Sequence, residues 1–155
     1  MSAGQVRLER LYLKDASFES PRSPAVFTET WKPEMQLDIN SQASELADNL
    51  FEVVLSVTLR AKLENSKTAF IIDIQQAGIF RIEGVEPETR QRVLGTVCPN
   101  TLFPYVRETV DSMAVRGGFP AIQLAPVNFD SLFAEALGKH QDQQQRTQPD
   151  GNVTH

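Results

Sequence analysis

The stretch LFEVVLSVTLRAKLENSKTAFIIDIQQAGIFRIEG, Leu50 to Gly84, decides the fold. Its first half alternates. Phe51, Val53, Leu55, Val57, Leu59, Ala61 and Leu63 share one parity, against Glu52, Ser56, Thr58, Arg60, Lys62 and Glu64, with Val54 the apolar exception. Successive side chains of a strand point to opposite faces, so this pattern predicts a long, half-buried strand. Asn65-Ser66-Lys67 makes the turn. A second strand follows, with Phe70, Ile72, Ile74, Gln76, Phe80 and Ile82 on one side and Ile71, Asp73, Gln75 and Arg81 on the other. Both runs exceed the usual strand of about 5–6 residues. Ile71 beside Ile72 makes the second strand apolar on both faces, which predicts that each face meets something. Gly78 inside it predicts a bulge or a close backbone approach.

Toward the N-terminus, Arg7 to Glu19 alternates imperfectly. Period two puts Leu8, Tyr12, Ala16 and Phe18 on one face, and Leu11, Leu13, Asp15, Ser17 and Glu19 on the other. SPRSP, Ser20 to Pro24, is an irregular loop, and a short arm then carries Phe27 and Trp31, the only tryptophan. In MQLDIN, Met35, Leu37 and Ile39 alternate with Gln36, Asp38 and Asn40, which predicts another strand.

Toward the C-terminus the period changes after Glu86-Pro87. Pro87 suits the first turn of a helix, and Val93, Leu94 and Val97 follow at helical spacing. Pro99 and Pro104 require either a kink or a restart near Asn100. Leu102, Tyr105, Val106, Val110 and Met113 form one helical stripe, with Gly117 as its left-handed cap. FPAIQLAPV, Phe119 to Val127, is extended because Pro120 and Pro126 forbid a helix between them. Asn128 caps a last short helix whose apolar side is Phe129, Leu132, Phe133, Ala136 and Leu137. From Gly138 onward the chain is polar and is expected to be a disordered tail. The elements are segregated, which predicts an α+β fold: a four-stranded antiparallel sheet with two helices packed on one face. One domain spans residues 1–137, and residues 138–155 form the tail.

The 155-residue length suits one domain with a modest core. A net charge of −5 argues against broad binding to nucleic acid or to an anionic membrane, which needs a basic surface. The acid is uneven. From Asp15 to Glu52 eight carboxylates face only Arg22 and Lys32, a segment that either solubilises a face or attracts a basic partner. Cys98 is the only cysteine, which fits a reducing compartment. The N-terminus MSAGQVRLERLYLKD lacks the apolar run of a signal peptide, and no apolar stretch of about 18 residues is present to span a bilayer. A cytoplasmic protein is expected. Chemistry is sparse. His140 and His155 lie in the tail, Cys98 has no histidine to activate it, and neither a phosphate loop nor a metal spacing appears. The expectation is no enzyme, no metal and no cofactor. Phe119 to Phe129 carries apolar groups in several directions, so this segment either lids the sheet or walls an apolar groove that marks an interaction site.

YLKDASFESP, LADNLFEVVL, QQAGIFRI, GTVCPNTLFPYVRETV and RGGFPAIQLAPVNFDSLF together make the chain resemble SecB, the bacterial protein-export chaperone family, from about Leu11 to Leu137. The resemblance implies a dimer of dimers, a homotetramer. It implies a cofactor-free chaperone that holds unfolded secretory precursors in the cytoplasm and passes them to the SecA motor ATPase. Neither nucleic acid nor direct membrane insertion is involved. Residue by residue, it implies SecA docking at Asp15, Glu19, Ile71 and Asp73. Ile72, Ile74 and Gln76 match positions that in the family affect assembly and client binding, and Leu102, Tyr105, Val106, Val110 and Met113 join them as the expected oligomer interface. A client groove would draw on Trp31, Leu37, Ile39, Phe119, Ile122, Leu124, Val127, Phe129 and Leu132. The glutamine-rich tail departs from the acid-rich ends of many relatives. Alternatives are a SecB-like chaperone controlling a toxin–antitoxin pair, or a module binding a small hydrophobic ligand.

Overall fold

The computed structural model describes residues 4–147. Four antiparallel strands, β1 (Gln5–Glu19), β2 (Glu34–Ala47), β3 (Leu50–Lys62) and β4 (Thr68–Glu83), form one sheet in the order β1-β4-β3-β2. Three helices follow: α1 (Pro87–Gly95), α2 (Val97–Arg116) and α3 (Phe129–Thr147). Only Thr96 separates α1 from α2, so these two make one bent arm and α3 makes the second helical unit. The bend precedes Pro99, which sits in the first turn of α2, where its missing N–H has no intrahelical partner to lose.

The core lies between β3, β4 and the arm. Val53, Leu55, Leu59, Phe70, Ile72 and Ile74 of the sheet meet a stripe at four-residue spacing on α2, Cys98, Leu102, Val106, Val110 and Ala114, and all are essentially inaccessible. Tyr105, expected on that stripe, faces away and is 41% exposed. The inward parity of β3 and β4 therefore holds as the alternation predicts. Gly78 brings no bulge. Register is continuous through it, and Leu8 and Leu102 pack 3.0 and 3.1 Å from where a β-carbon would sit, so the glycine serves a close approach.

Two bulges in β1, at Glu9 and Lys14, overturn the simple parity expected of that strand. Each extra residue reverses the faces that follow it. Leu8, Leu11, Leu13, Ala16 and Phe18 pair with Phe80, Gly78, Gln76, Ile74 and Ile72 and so share the helix-bearing face. Tyr12, Asp15, Ser17 and Glu19 share the opposite, outer face. Asp15 and Glu19 stay together because no bulge lies between them, but Leu11 and Leu13 leave their company.

Gly118, not Gly117, holds the left-handed position after α2, with φ 91° against −78°. The Phe119 amide donates to the Ala114 carbonyl and the Gly118 amide to Val115, which close the helix end as a Schellman pair. Gly117 is small for another reason: the Phe18 ring fills the space of its missing side chain. Asn128 does cap α3, its Oδ1 accepting the Ser131 amide at 3.0 Å. Beyond Leu137, where the sequence reading ended the domain, α3 continues through Gly138 to Thr147, a run of lysine, glutamine and arginine that favours helix. Residues 148–155 of the polar tail lie outside the described residues.

Candidate functional site

Among the described residues no helix covers the outer face of the sheet. Strand register lays its side chains in rows. Ser17, Asp73, Thr58 and Asp38 form one row, Asp15, Gln75, Ser56 and Asn40 the next, and Glu19, Ile71, Arg60 and Gln36 a third. The structure thus brings Asp15, Glu19, Ile71 and Asp73 onto one face in adjacent rows. The three carboxylates are exposed and Ile71 is half-buried. Thr58 donates its hydroxyl proton to Asp73 at 2.6 Å, which orients that carboxylate. A shallow hollow of about 240 Å³ lies among Asp15, Ser17, Thr58, Asp73 and Gln75. Asp38 completes this row and was not among the residues expected at the docking face. Its signal was present, since it alternates with Leu37 and Ile39. Arg60 supplies a single cation beside Ile71.

The same face holds a polar cluster farther along. Tyr12 donates to Glu52 across β4, and Lys14 Nζ lies 3.0 Å from the other carboxylate oxygen. Burial, and then the hydrogen bond and charge of Glu52, push the Tyr12 hydroxyl up to about 12. Glu52 in turn is held below the usual carboxylate value by Tyr12 first and Lys14 second.

On the helix-bearing side, the residues expected to line a groove gather in two places. The first is an aromatic cluster at one end of the sheet. The Phe119 ring centroid lies 4.9 Å from Phe70, 5.3 Å from Trp31 and from Phe27, and 6.3 Å from Phe18. Phe70 and Phe119 are buried, Phe18 and Trp31 half-buried, and Phe27 51% exposed, so the cluster opens to solvent at one rim. The second is a hollow of about 470 Å³ between Ile39 and Ala43 of β2, Leu94 and Gly95 of α1, and Phe129 and Leu132 of α3. The segment 119–128 connects them, starting at Phe119 in the cluster and ending at Phe129 in the hollow. Phe119, Leu124 and Phe129 are buried, so the segment does lid the core at these anchors. Ile122 and Val127 stay half-buried along it, and Leu37 and Leu132 are 39% and 40% exposed. Lid and apolar margin coexist. Phe18, Phe27 and Phe70 belong with this cluster and were missed, because nothing in local spacing brings strand ends and the connection between β1 and β2 together.

The residues expected at an oligomer interface lie mostly in the interior of the single chain. Ile72, Ile74, Leu102, Val106 and Val110 are buried in the core of the single chain, and Gln76 is buried beside them. Gln76 donates to the Tyr12 carbonyl at 3.0 Å. The double-faced apolarity of β4 reflects the arm on one side and half-buried Ile71 and Ile79 on the other. Of the five α2 residues expected at the interface, Tyr105 is exposed and Met113 half-buried. Cys98 is inaccessible, and burial pushes its thiol up to about 12, so it is no nucleophile. Among the described residues no three His, Cys, Asp or Glu side chains converge as metal ligands, and no helix is long and apolar enough to cross a membrane.

Comparison with known proteins places this architecture. The sequence profile of "SecB: Preprotein translocase subunit SecB" matches residues 1–141. The chain is 55% identical over 137 residues to the protein-export protein SecB of Hahella chejuensis, covering 88% of this chain and 86% of that one. Against the SecB of Marinobacter nauticus it is 50% identical over 139 residues, covering 90% and 84%. Among solved structures, the Rv1957 SecB-like chaperone of Mycobacterium tuberculosis, in complex with a ChAD peptide from the Rv1956 HigA1 antitoxin, shares the fold. Its TM-score is 0.66 at 18% identity, covering 79% of this chain and 91% of that chain. An open acidic sheet face, an aromatic cluster under a proline-bounded segment, and these sequence matches over nearly the whole described chain together establish that the chain belongs to the SecB family of protein-export chaperones.

Proposed function

We propose that the chain works as an ATP-independent holdase. It captures unfolded secretory precursors along Trp31, Leu37, Ile39 and the segment from Phe119 to Leu132, and delivers them in the cytoplasm to the SecA motor ATPase. The observation that carries this reading is the two-sidedness of β4. Ile71 and Asp73 face outward beside Asp15 and Glu19, while Phe70, Ile72 and Ile74 face the helical side with the aromatic cluster. Clients and motor would then use opposite faces of one sheet, and handover needs no nucleotide because the motor docks without displacing the client first.

The aromatic cluster offers apolar area with little hydrogen-bond geometry to satisfy, which suits many sequences held weakly. Several copies of the site in a homotetramer, a dimer of dimers, would convert weak contacts into firm retention through effective concentration. The exposed remnants of α2, Tyr105 and Val115, and the uncovered Val6 and Leu13 of β1 are apolar surfaces that a closed assembly would bury. The acidic row suits a basic peptide of the motor. A role in a toxin–antitoxin pair is the second reading, favoured by the antitoxin peptide bound to the structural neighbour. The export function carried in the names of the far more similar relatives weighs toward export.

The test is a split measurement on the triple reversal Asp15→Lys, Glu19→Lys, Asp73→Lys. Exposed ion pairs contribute about 0.2–1 kcal/mol each, so three together should lower SecA affinity about tenfold or more, and less at high salt. Client affinity should stay near wild type. Equal loss of both, or loss of client binding alone, would assign docking elsewhere.

A further inference from the structure

The segment 119–128 pairs with no strand, yet its path is fixed. Asp111, on the half-buried side of α2, reaches across to it. A single carboxylate oxygen, Oδ1, accepts the Ile122 amide and the Gln123 amide, both at 2.9 Å. Gln123 stands at φ 55°, in the left-handed region that a residue with a side chain seldom adopts. Nothing in the local sequence asks for this conformation. Glutamine is not glycine, and the prolines at 120 and 126 constrain only their own neighbourhoods. Two adjacent amides converging on one charged acceptor supply the reason. The turn lets Leu124 bury and Ile122 pack half-buried against the core while the Gln123 side chain remains in water.

We propose that Asp111 is a positioning residue for client binding: by holding the Ile122 and Gln123 amides it keeps the apolar margin of the segment in one place, and so sets how long a client stays bound. The proposal rests on the groove reading above. A margin free to move would leave Phe119, Leu124 and Phe129 anchored, but Ile122, between the first two, would no longer present a fixed surface. Capture would survive and retention would shorten. Docking of SecA, on the opposite face, would be untouched.

The experiment uses the full-length protein and three variants. Asp111→Ala removes the acceptor. Asp111→Asn keeps a carbonyl oxygen that can take both amides without the charge. Asp111→Leu, close in shape and unable to accept, stands in should the alanine variant fail to fold. Hydrogen exchange of the segment 119–128 reads the pin directly. Release of fluorescently labelled, reduced and carboxymethylated lactalbumin reads client retention. Losing both bonds should speed exchange at Ile122 and Gln123 by about tenfold or more. Client release from Asp111→Ala or Asp111→Leu should quicken about three- to tenfold, with Asp111→Asn within about twofold of wild type on both readouts. A purely structural role would lower the melting temperature and leave the release rate alone. Unchanged exchange, faster exchange with unchanged release, or an asparagine variant as impaired as alanine each overturns the proposal alone. If wild type itself does not retain the client, the groove reading falls and the proposal falls with it.

Discussion

Replacing Phe119 by alanine perturbs the aromatic cluster at its centre. The ring is 5% exposed and touches four others, with centroids between 4.9 and 6.3 Å away. Truncation of a buried phenylalanine costs about 3–5 kcal/mol, from lost transfer energy and the void left behind. Here the cluster opens to solvent at Phe27, and the Phe27 and Trp31 rings can settle into the gap, which argues for the low end, about 3 kcal/mol. For a chain of this size each kcal/mol moves the melting temperature about 2–4 °C, so Phe119→Ala should melt about 6–12 °C lower. Phe119→Leu keeps most of the volume and should cost only about 1 kcal/mol. Trp31, the only tryptophan, stacks against Phe70 and lies against Phe119, so its emission follows urea unfolding and should shift to the red in the native alanine variant. Melts are compared at one protein concentration, since self-association would couple to folding. A loss below about 1 kcal/mol for alanine, or equal losses for alanine and leucine, would refute the central role given to the ring.

Ile74→Asp should abolish folding and not merely loosen assembly. Its side chain is 1% exposed between Ala16 and Val57, and an unpaired buried carboxylate costs several kcal/mol, on the order of total stability, so circular dichroism should show loss of the sheet. A folded variant with altered sedimentation would instead revive the interface role. Cys98 should resist thiol reagents at mildly alkaline pH in the native protein and react at once in denaturant, because burial both hides the thiol and suppresses its thiolate. Reaction at equal rates would contradict the packing of α2. The Tyr12 hydroxyl, raised from 10.0 to about 12, gives stability present below its ordinary value and lost as pH rises through about 12. Phenolate absorbance should place its midpoint there, and Glu52→Gln should bring it down; ionisation near 10.0 in wild type would break the Tyr12–Glu52 contact.

Much of this was legible in the sequence where one face of an element is buried and the other wet. Strand β3 alternates because the arm covers one side, and the pattern from Phe51 to Ala61 is the burial pattern itself. Strand β1 was legible only in part. Its bulges at Glu9 and Lys14 leave no compositional mark, and each reverses the parity after it. Asp15 and Glu19 were paired correctly because the error was common to both. Strand β2 runs on to Ala47, well past Asn40, since an edge strand with both faces largely exposed has no reason to alternate. The break at Thr96 was hidden by Pro99, a residue that looks like a helix breaker but is harmless in a first turn. The aromatic cluster joins residues from β1, the connection between β1 and β2, β4 and the segment after α2, a meeting decided by tertiary packing alone.

Strand β2 pairs with β3 on one side, and along the other its 14 residues have no strand beside them among the described residues. Such an edge can template a further strand, and an unfolded chain is the material from which fibrils grow. Glu34, Asp38 and Glu45 stand along this edge, with Asp48 in the turn that follows. A strand added in register would set its own side chains beside these carboxylates, and a second copy of β2 would bring the same charges to them. The charge along β2 therefore works against the growth of a sheet from this edge.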